Sequence, residues 1–572
     1  MSGGLWEVVG TGGGAGGITV RSSKDLNSPE VAGGRLSTGA LIAELEVCED
    51  RIRFSRISGS GPDTGWVSVK AGGRPLLLRA GEQGTAAALE AASKAKARAA
   101  EAKGEDSAPN IWLMSQGTRG DVQPLVVLAT SLRKKGYRIK VLASKNFKGF
   151  IESYGLRFLE HGVDIQALTL EFNKTRTGED KADWDKKFKE DKEGMGADLI
   201  NRIITPEVIS KMAQVFADAL QAERPDVVLY GNLMYGLPLY AWSKYGIPVM
   251  HVNYFPEWLN TEEAMRELHA ECQRMDRDVI APATGMASVA DASFEDWFAW
   301  LVSPKRNMTA HSEMLLRLSS GEFLAIGARH KSLFTGFWVL NEAEQMVDLE
   351  QFGGMEGLRM MQRFLDAGKP PIYVGWGSMP IEVGALAKAI LNIKQAGQRG
   401  IVVGGWMGSG LLGLEEWLQE KMPEDPFGIM KFARKNVLFV KSAPHGWLFP
   451  RCAATVHHGG AGTTAAALFA GVPTIITPFS FDQMYHADWV VKLGCGLQLN
   501  LASGGLMDTE WAMALKKAAE DEGLQNKARE VAESLQREPG VADAVARVEA
   551  VLADLAERKA STGAAEERKF GF

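Results

Sequence analysis

Cys452-Ala453-Ala454-Thr455-Val456-His457-His458-Gly459-Gly460-Ala461-Gly462-Thr463-Thr464 reads as an apolar strand that enters a glycine-rich turn and then an alanine-rich helix over 465–470. The glycines remove side chains, so backbone N–H groups can approach an anion, and the N-terminus of the following helix adds partial positive charge. Thr463 and Thr464 carry hydroxyls that can donate to the same anion, and a histidine supplies a ring N–H. An ordinary tight strand–helix turn would need the glycines but not the paired histidines and threonines, so the stretch is read as a phosphate site. Eighteen residues past Thr464, after an expected strand at 474–478 and the loop Phe479-Ser480-Phe481, stands Asp482-Gln483. A carboxylate there can accept from two neighbouring sugar hydroxyls, and the amide can both donate and accept. Taken alone, the pair would read as a solvated helix start.

Working outward, the same strand–loop–helix rhythm recurs. Expected strands at 111–115, 138–143, 226–230 and 248–252 alternate with helices, the first over 124–135. The rhythm restarts at 371–375 and continues through 400–404, 437–440, 454–457 and 474–478. Such alternation implies parallel sheets covered by helices, here two in succession, so the fold class is α/β. Ahead of them, 5–80 holds short β-rich runs separated by Gly, Pro and Asp turns, which implies a small β-barrel-like accessory domain. The expected organisation is that domain, a helical Ala/Lys/Glu linker at 86–107, an acceptor-side domain at 110–340, a donor-side domain with C-terminal helices at 341–560, and a disordered tail at 561–572.

Composition bounds the function. The 572 residues carry a net charge of −6, which gives no general pull toward nucleic acid. Four cysteines, Cys48, Cys272, Cys452 and Cys495, are widely spaced without a CxxC, which argues against a disulfide framework or zinc cluster and fits a reducing compartment. No signal-peptide pattern opens the sequence and no run of about 20 apolar residues occurs, so a cytoplasmic location is expected, with contact at a membrane surface left open.

Ala443-Pro444-His445-Gly446-Trp447-Leu448-Phe449-Pro450-Arg451-Cys452, the turn His458-Gly459-Gly460-Ala461-Gly462-Thr463-Thr464, Gly471-Val472-Pro473 and Asp482-Gln483 together closely resemble the donor-binding box of inverting UDP-glycosyltransferases, above all the sterol 3β-glucosyltransferase branch, with bacterial antibiotic glycosyltransferases as relatives. The resemblance extends over 110–560 and implies a GT-B fold, two Rossmann-like domains facing across a cleft. It implies that Ser378, Ala443, His458, Gly460, Gly462, Thr463, Thr464, Asp482 and Gln483 hold the sugar nucleotide, with Thr118, Arg119, Trp406 and Trp447 as a further set around it. Ser115-Gln116-Gly117-Thr118-Arg119-Gly120-Asp121 is similar to the acceptor-domain signature, and Asp121 falls where sterol and antibiotic branches carry aspartate and many plant relatives a catalytic histidine. A carboxylate at a strand's carboxyl end can take a proton from an acceptor hydroxyl, and it can equally cap a helix. Ser442 replaces the tryptophan on which plant relatives stack the base.

The implied reaction is glucose transfer from UDP-glucose to a hydroxyl on an apolar acceptor, a sterol, with Asp121 as base, UDP-sugar as co-substrate and neither cofactor nor metal required. Two alternatives stand beside it: transfer to a polyketide or terpenoid, and a non-catalytic nucleotide-sugar-binding scaffold that works through the 5–80 domain and its unknown partner. Other signals are weaker. Gly10–Gly17 lacks the Lys-Ser/Thr pair of a phosphate loop, and Asp183-Trp184-Asp185 and Asp276-Arg277-Asp278 have the metal-holding DxD form within charged, helix-like stretches. The charged run 174–193 reads as a solvated helix or acceptor-side lid, and Trp258, Trp297, Phe298 and Trp300 read as core or as the wall of an apolar pocket.

Overall fold

The computed structural model describes residues 5–8, 17–37, 40–58, 61–71, 74–79, 108–164, 166–168, 204–231, 234, 237–254, 262–285, 293–319, 329–346, 348–379, 382–404, 410–479, 482–501 and 505–561. The expected linker at 86–107, the run 174–193 with its DxD, Trp258, Trp406, positions 10–16 and residues 562–572 of the expected tail lie outside the described residues. The chain divides into two compact units.

The first unit is built on a seven-stranded antiparallel sheet in the order Glu30–Leu36, Ile18–Arg21, Thr64–Ser68, Arg51–Ser58, Leu41–Cys48, Leu5–Val8 and Leu77–Arg79. Val8, Ile18, Val20, Leu36, Ile42, Phe54 and Val67 pack into one apolar core. The one-sided burial is the alternation expected of antiparallel strands. Glu44, nearly buried within this sheet, accepts the indole N–H of Trp6 at 2.8 Å, which offsets part of its desolvation.

The second unit holds two six-stranded parallel sheets. The first runs in the order Arg157–Glu160, Arg138–Ala143, Asn110–Met114, Val227–Tyr230, Val249–Asn253 and Asn307–Thr309. The second runs in the order Val437–Val440, Gly400–Val403, Ile372–Gly375, Ala454–His457, Thr474–Ile476 and Gly496–Gln498. In chain order each is 3-2-1-4-5-6, the doubly wound arrangement. The central strands Asn110–Met114, Val227–Tyr230, Ile372–Gly375 and Ala454–His457 are buried at every position, because helices cover both faces. The direction of strand ordering reverses between the first and fourth strands of each sheet. The crevice outside their carboxyl ends is where such folds receive ligands.

Two local outcomes differ from the sequence expectation. The first helix of the acceptor-side sheet is Arg119–Lys134, not 124–135. Proline fits a helix's first position well, but here a capping box at Thr118 and Asp121 sets the start, and Pro124 is carried inside at the loss of a backbone bond. The last helix, Val541–Ser561, rests on Arg119–Lys134, and Glu549 takes Lys135 Nζ at 3.3 Å and the Tyr137 hydroxyl at 3.4 Å. A helix placed by sequence within 341–560 thus docks on the other sheet's side. Trp297, Phe298 and Trp300 pack with Phe294 around Met265, Leu301 and Phe334, an apolar cluster beside the acceptor-side sheet. Asp276-Arg277-Asp278 lies in a π-helical turn, Asp276–Ile280. Among the described residues no group of three or more His, Cys, Asp or Glu could hold a metal ion, and no helix is long and apolar enough to cross a membrane.

One buried ion pair fastens the helices of the donor-side sheet. Lys388, on Val383–Gln395, lies 2.9 Å from Asp508, which caps Thr509–Glu520 by accepting the N–H groups of Glu510 and Trp511. Both side chains are at most 10% exposed, so removing one strands the other's charge. Asp508→Ala is expected to lower the unfolding free energy by about 3–5 kcal/mol. Urea denaturation measures it, and a loss below about 1 kcal/mol, the range of an exposed pair, would contradict the account.

Candidate active site

The glycine-rich turn after Ala454–His457 divides its two histidines between different tasks. His457 is wholly buried, and its Nδ1 accepts the Gly459 N–H at 3.0 Å. That bond leaves the proton on Nε2, which donates to Thr474 Oγ1 at 2.8 Å, on the neighbouring strand. His457 therefore braces the turn against the sheet. His458 points the other way. A Cβ at Gly460 would lie 2.5 Å from its Nε2 and one at Gly377 would lie 3.2 Å from its Cε1, so the ring is held between the turns after the first and fourth strands. Its Nδ1 is buried and finds no partner among the described residues. Gly459 takes φ +94°, and a Cβ there would come within 2.7 Å of Ile476 Cγ2, so only glycine fits.

Gly460 then caps the helix Ala461–Ala470, whose first turn carries Gly462, Thr463 and Thr464. The Thr464 hydroxyl is buried without a partner among the described residues. Ser378 is half-buried beside Gly377, in the turn that abuts His458, so these predicted residues come together at the switch point. Asp482 is the N-cap of Gln483–Leu493, with its Oδ2 3.5 Å from His486 Nδ1. Gln483 is tied into the fold, its Oε1 accepting the Phe479 N–H at 2.7 Å. Ala443 lies in the turn after Val437–Val440, half-buried like Ser442. Trp447 is 3% exposed, its ring nearly perpendicular to that of Phe352 and under the Arg451 guanidinium, which makes it a packing residue of the same wall.

Across the cleft, Thr118 caps Arg119–Lys134. Asp121 Oδ2 accepts the Thr118 N–H at 2.6 Å and the Thr118 hydroxyl at 3.1 Å, while Thr118 Oγ1 accepts the Gly120 N–H at 3.1 Å. Gly117, at φ +117°, leaves the space the carboxylate occupies, since a Cβ there would sit 2.4 Å from Asp121 Oδ2. Burial pushes the Asp121 carboxyl up to about 6, against the bonds from Thr118 that pull it down. Asp121 thus does the capping that sequence offered as an alternative, and it remains basic enough to accept a proton. Arg119 lies over the Phe150 ring at 3.7 Å and donates to Gln123 and to Gln351, at 3.0 and 2.7 Å.

The two halves meet at glycines. A Cβ on Gly462 would lie 3.9 Å from the Gly120 Cα, so the N-termini of the two helices converge. Both present the positive ends of their dipoles. His445, quoted in the sequence motif but assigned no role there, joins them: it stacks on Phe449 at 4.4 Å and its Nε2 lies 3.1 Å from the Tyr373 hydroxyl. Burial, then the nearby Arg119 and His458 charges, push His445 down to about 3, and burial pushes His458 down to about 4. The site thus presents neutral imidazoles in a positive field. His311 and His486 are a second feature missed from sequence. His311 Nδ1–H donates to Ser312 O at 3.2 Å, which leaves its Nε2 to accept from His486 Nε2–H at 3.3 Å. The only signal was a histidine four residues after Asp482, one helical turn away.

Comparisons with known proteins agree with this fold. Residues 111–234 match the glycosyltransferase family 28 N-terminal domain, and residues 428–551 match the erythromycin biosynthesis protein CIII-like C-terminal domain. The sterol 3-beta-glucosyltransferase UGT80B1 of Arabidopsis thaliana is 27% identical over 76% of this chain and 67% of its own length. The sterol 3-beta-glucosyltransferase of Yarrowia lipolytica is 26% identical over 77% of this chain, which spans only 28% of that relative's length. The crystal structure of the glycotransferase of kitacinnamycin superposes with a TM-score of 0.52 at 17% identity, over 78% of this chain and 99% of that one, a likeness of fold. A glycosyltransferase family 28 match on one side of the cleft, a CIII-like match on the other and two doubly wound sheets make this chain similar to glycosyltransferases in both halves and in fold.

Proposed function

We propose that the chain transfers glucose from UDP-glucose to the hydroxyl of an apolar acceptor, a sterol, in one displacement that inverts the anomeric carbon. The approach of the two helix N-termini, where a Cβ on Gly462 would lie 3.9 Å from the Gly120 Cα, carries the reading, because it sets Asp121 and the His458 turn on one cleft. The sterol rests on the activity named for the relatives. In this reading the diphosphate lies over the Ala461–Ala470 N-terminus. His458, Thr463, Thr464 and Ser378 donate to it and take up the charge that develops on departing UDP, in place of a metal ion. The buried Nδ1 of His458 and hydroxyl of Thr464 are groups such a ligand would satisfy. Asp482 and Gln483 orient the hexose, and Asp121 removes the acceptor proton as the oxygen attacks. The turn at Ser442 and Ala443 reads the base edge through its backbone.

Asp121→Asn is expected to keep UDP affinity while transfer falls by about 100-fold or more. In the wild type, the working form of Asp121 is the carboxylate, which is present above the raised value and lost below it. The acid limb of kcat/KM is therefore expected near pH 6, activity falling as pH drops through it. Near-normal transfer by the variant, read as UDP release with a sterol acceptor, would remove Asp121 as the base. Gly459→Ala is expected to weaken UDP binding by about tenfold or more, since strain of roughly 1–3 kcal/mol at the positive φ distorts the turn. Calorimetry with UDP measures this, and an unchanged Kd would contradict the phosphate assignment.

A further inference from the structure

The acceptor-side crevice holds polar groups that the reaction as described leaves unused. Tyr254 follows the fifth strand of its sheet, Val249–Asn253, and reaches across the fourth: a Cβ on Gly231 would lie 2.8 Å from the Tyr254 hydroxyl. Gly231 directly follows Val227–Tyr230 and donates its N–H to Met114 O at 2.9 Å, on the first strand. The phenol thus sits in the crevice between the first and fourth strands, where Ser115 and Gln116 begin the loop to Asp121. Tyr254 is 6% exposed, and Ser115 and Gln116 are 1% exposed. Both amide atoms of Gln116 are buried without a hydrogen-bond partner among the described residues, and the equally enclosed Tyr254 and Ser115 hydroxyls have at most each other. Native interiors seldom leave such groups unsatisfied, and several together in a ligand crevice mark a place that a polar ligand atom completes.

We propose that Tyr254 is a positioning residue for the acceptor: its phenol donates to the oxygen whose proton Asp121 accepts, with Ser115 beside it. The inference rests on the reading of Asp121 as base. A donor on the attacking oxygen fixes its second lone pair and the direction of its O–H, and it favours the partial negative charge that grows as the proton leaves. Burial, and then the Asp121 charge, hold the phenol well above its ordinary value, so it stays a donor throughout the working range. Gly231 is required because any side chain would displace the phenol.

The test is equilibrium binding of cholesterol and of 5α-cholestane, which lacks the hydroxyl, to the full chain saturated with UDP. The wild type is expected to prefer cholesterol by about tenfold or more, since a site built to hydrogen-bond a hydroxyl discriminates against the analogue without it. Tyr254→Phe and Gly231→Ala are each expected to bring the preference close to unity with UDP affinity unchanged, which also shows that the variants fold. In transfer assays Tyr254→Phe is expected to raise the acceptor KM and leave the donor KM in place. A preference that survives Tyr254→Phe overturns the proposal while leaving the sterol reading intact, and so does a wild type that binds both sterols alike. A wild type that binds neither overturns the sterol reading and the proposal with it.

Discussion

Two helix N-termini brought together at a pair of glycines are the constraint on which the site depends. A Cβ on Gly462 would lie 3.9 Å from the Gly120 Cα, so the two helix ends come to within one side chain's van der Waals contact of each other. Each helix end brings partial positive charge, so their convergence is unfavourable by itself and favourable once an anion lies between them. Arg119 adds a full charge, held in place by Phe150, Gln123 and Gln351. The sheets serve this arrangement: the 3-2-1-4-5-6 order, used twice, opens a crevice at the carboxyl ends of the first and fourth strands on both sides.

The chemistry divides along the same line. On the donor side, burial keeps His445, His457, His458 and His486 neutral, so they serve as hydrogen-bonding groups whose tautomers are set by their neighbours. His457 braces the turn, and the adjacent His458 is left with a nitrogen that has no partner among the described residues. On the acceptor side, one carboxylate caps a helix and stays basic. Capping and proton transfer are compatible because the Thr118 bonds fall on one oxygen, Oδ2, and burial raises the carboxyl in spite of them.

Much of this was legible in the sequence, for a physical reason. The turn at 457–464 and the loop at 115–121 are local: glycines, hydroxyls and a cap at fixed spacing state the backbone geometry directly. Two successive parallel sheets followed from apolar runs alternating with helices, and their doubly wound form from the family resemblance. What sequence did not reveal depends on contacts between distant segments. His311 meets His486 across 175 positions, and the Tyr254 phenol reaches a crevice whose other wall begins at Ser115. No local pattern records either contact. The helix start at Arg119 in place of Pro124 shows a specific capping box outweighing a general preference of proline, and the docking of Val541–Ser561 on Arg119–Lys134 is again a long-range choice.

The most direct test of a single displacement driven by Asp121 across this cleft is the configuration of the new glycosidic bond. Incubation with UDP-glucose, whose glucose is α-linked, and a sterol, followed by proton NMR of the product, reads it from the anomeric coupling. The account predicts a β-linked glucoside. An α-linked product would require a second displacement or a front-face path, and would contradict the role assigned to Asp121.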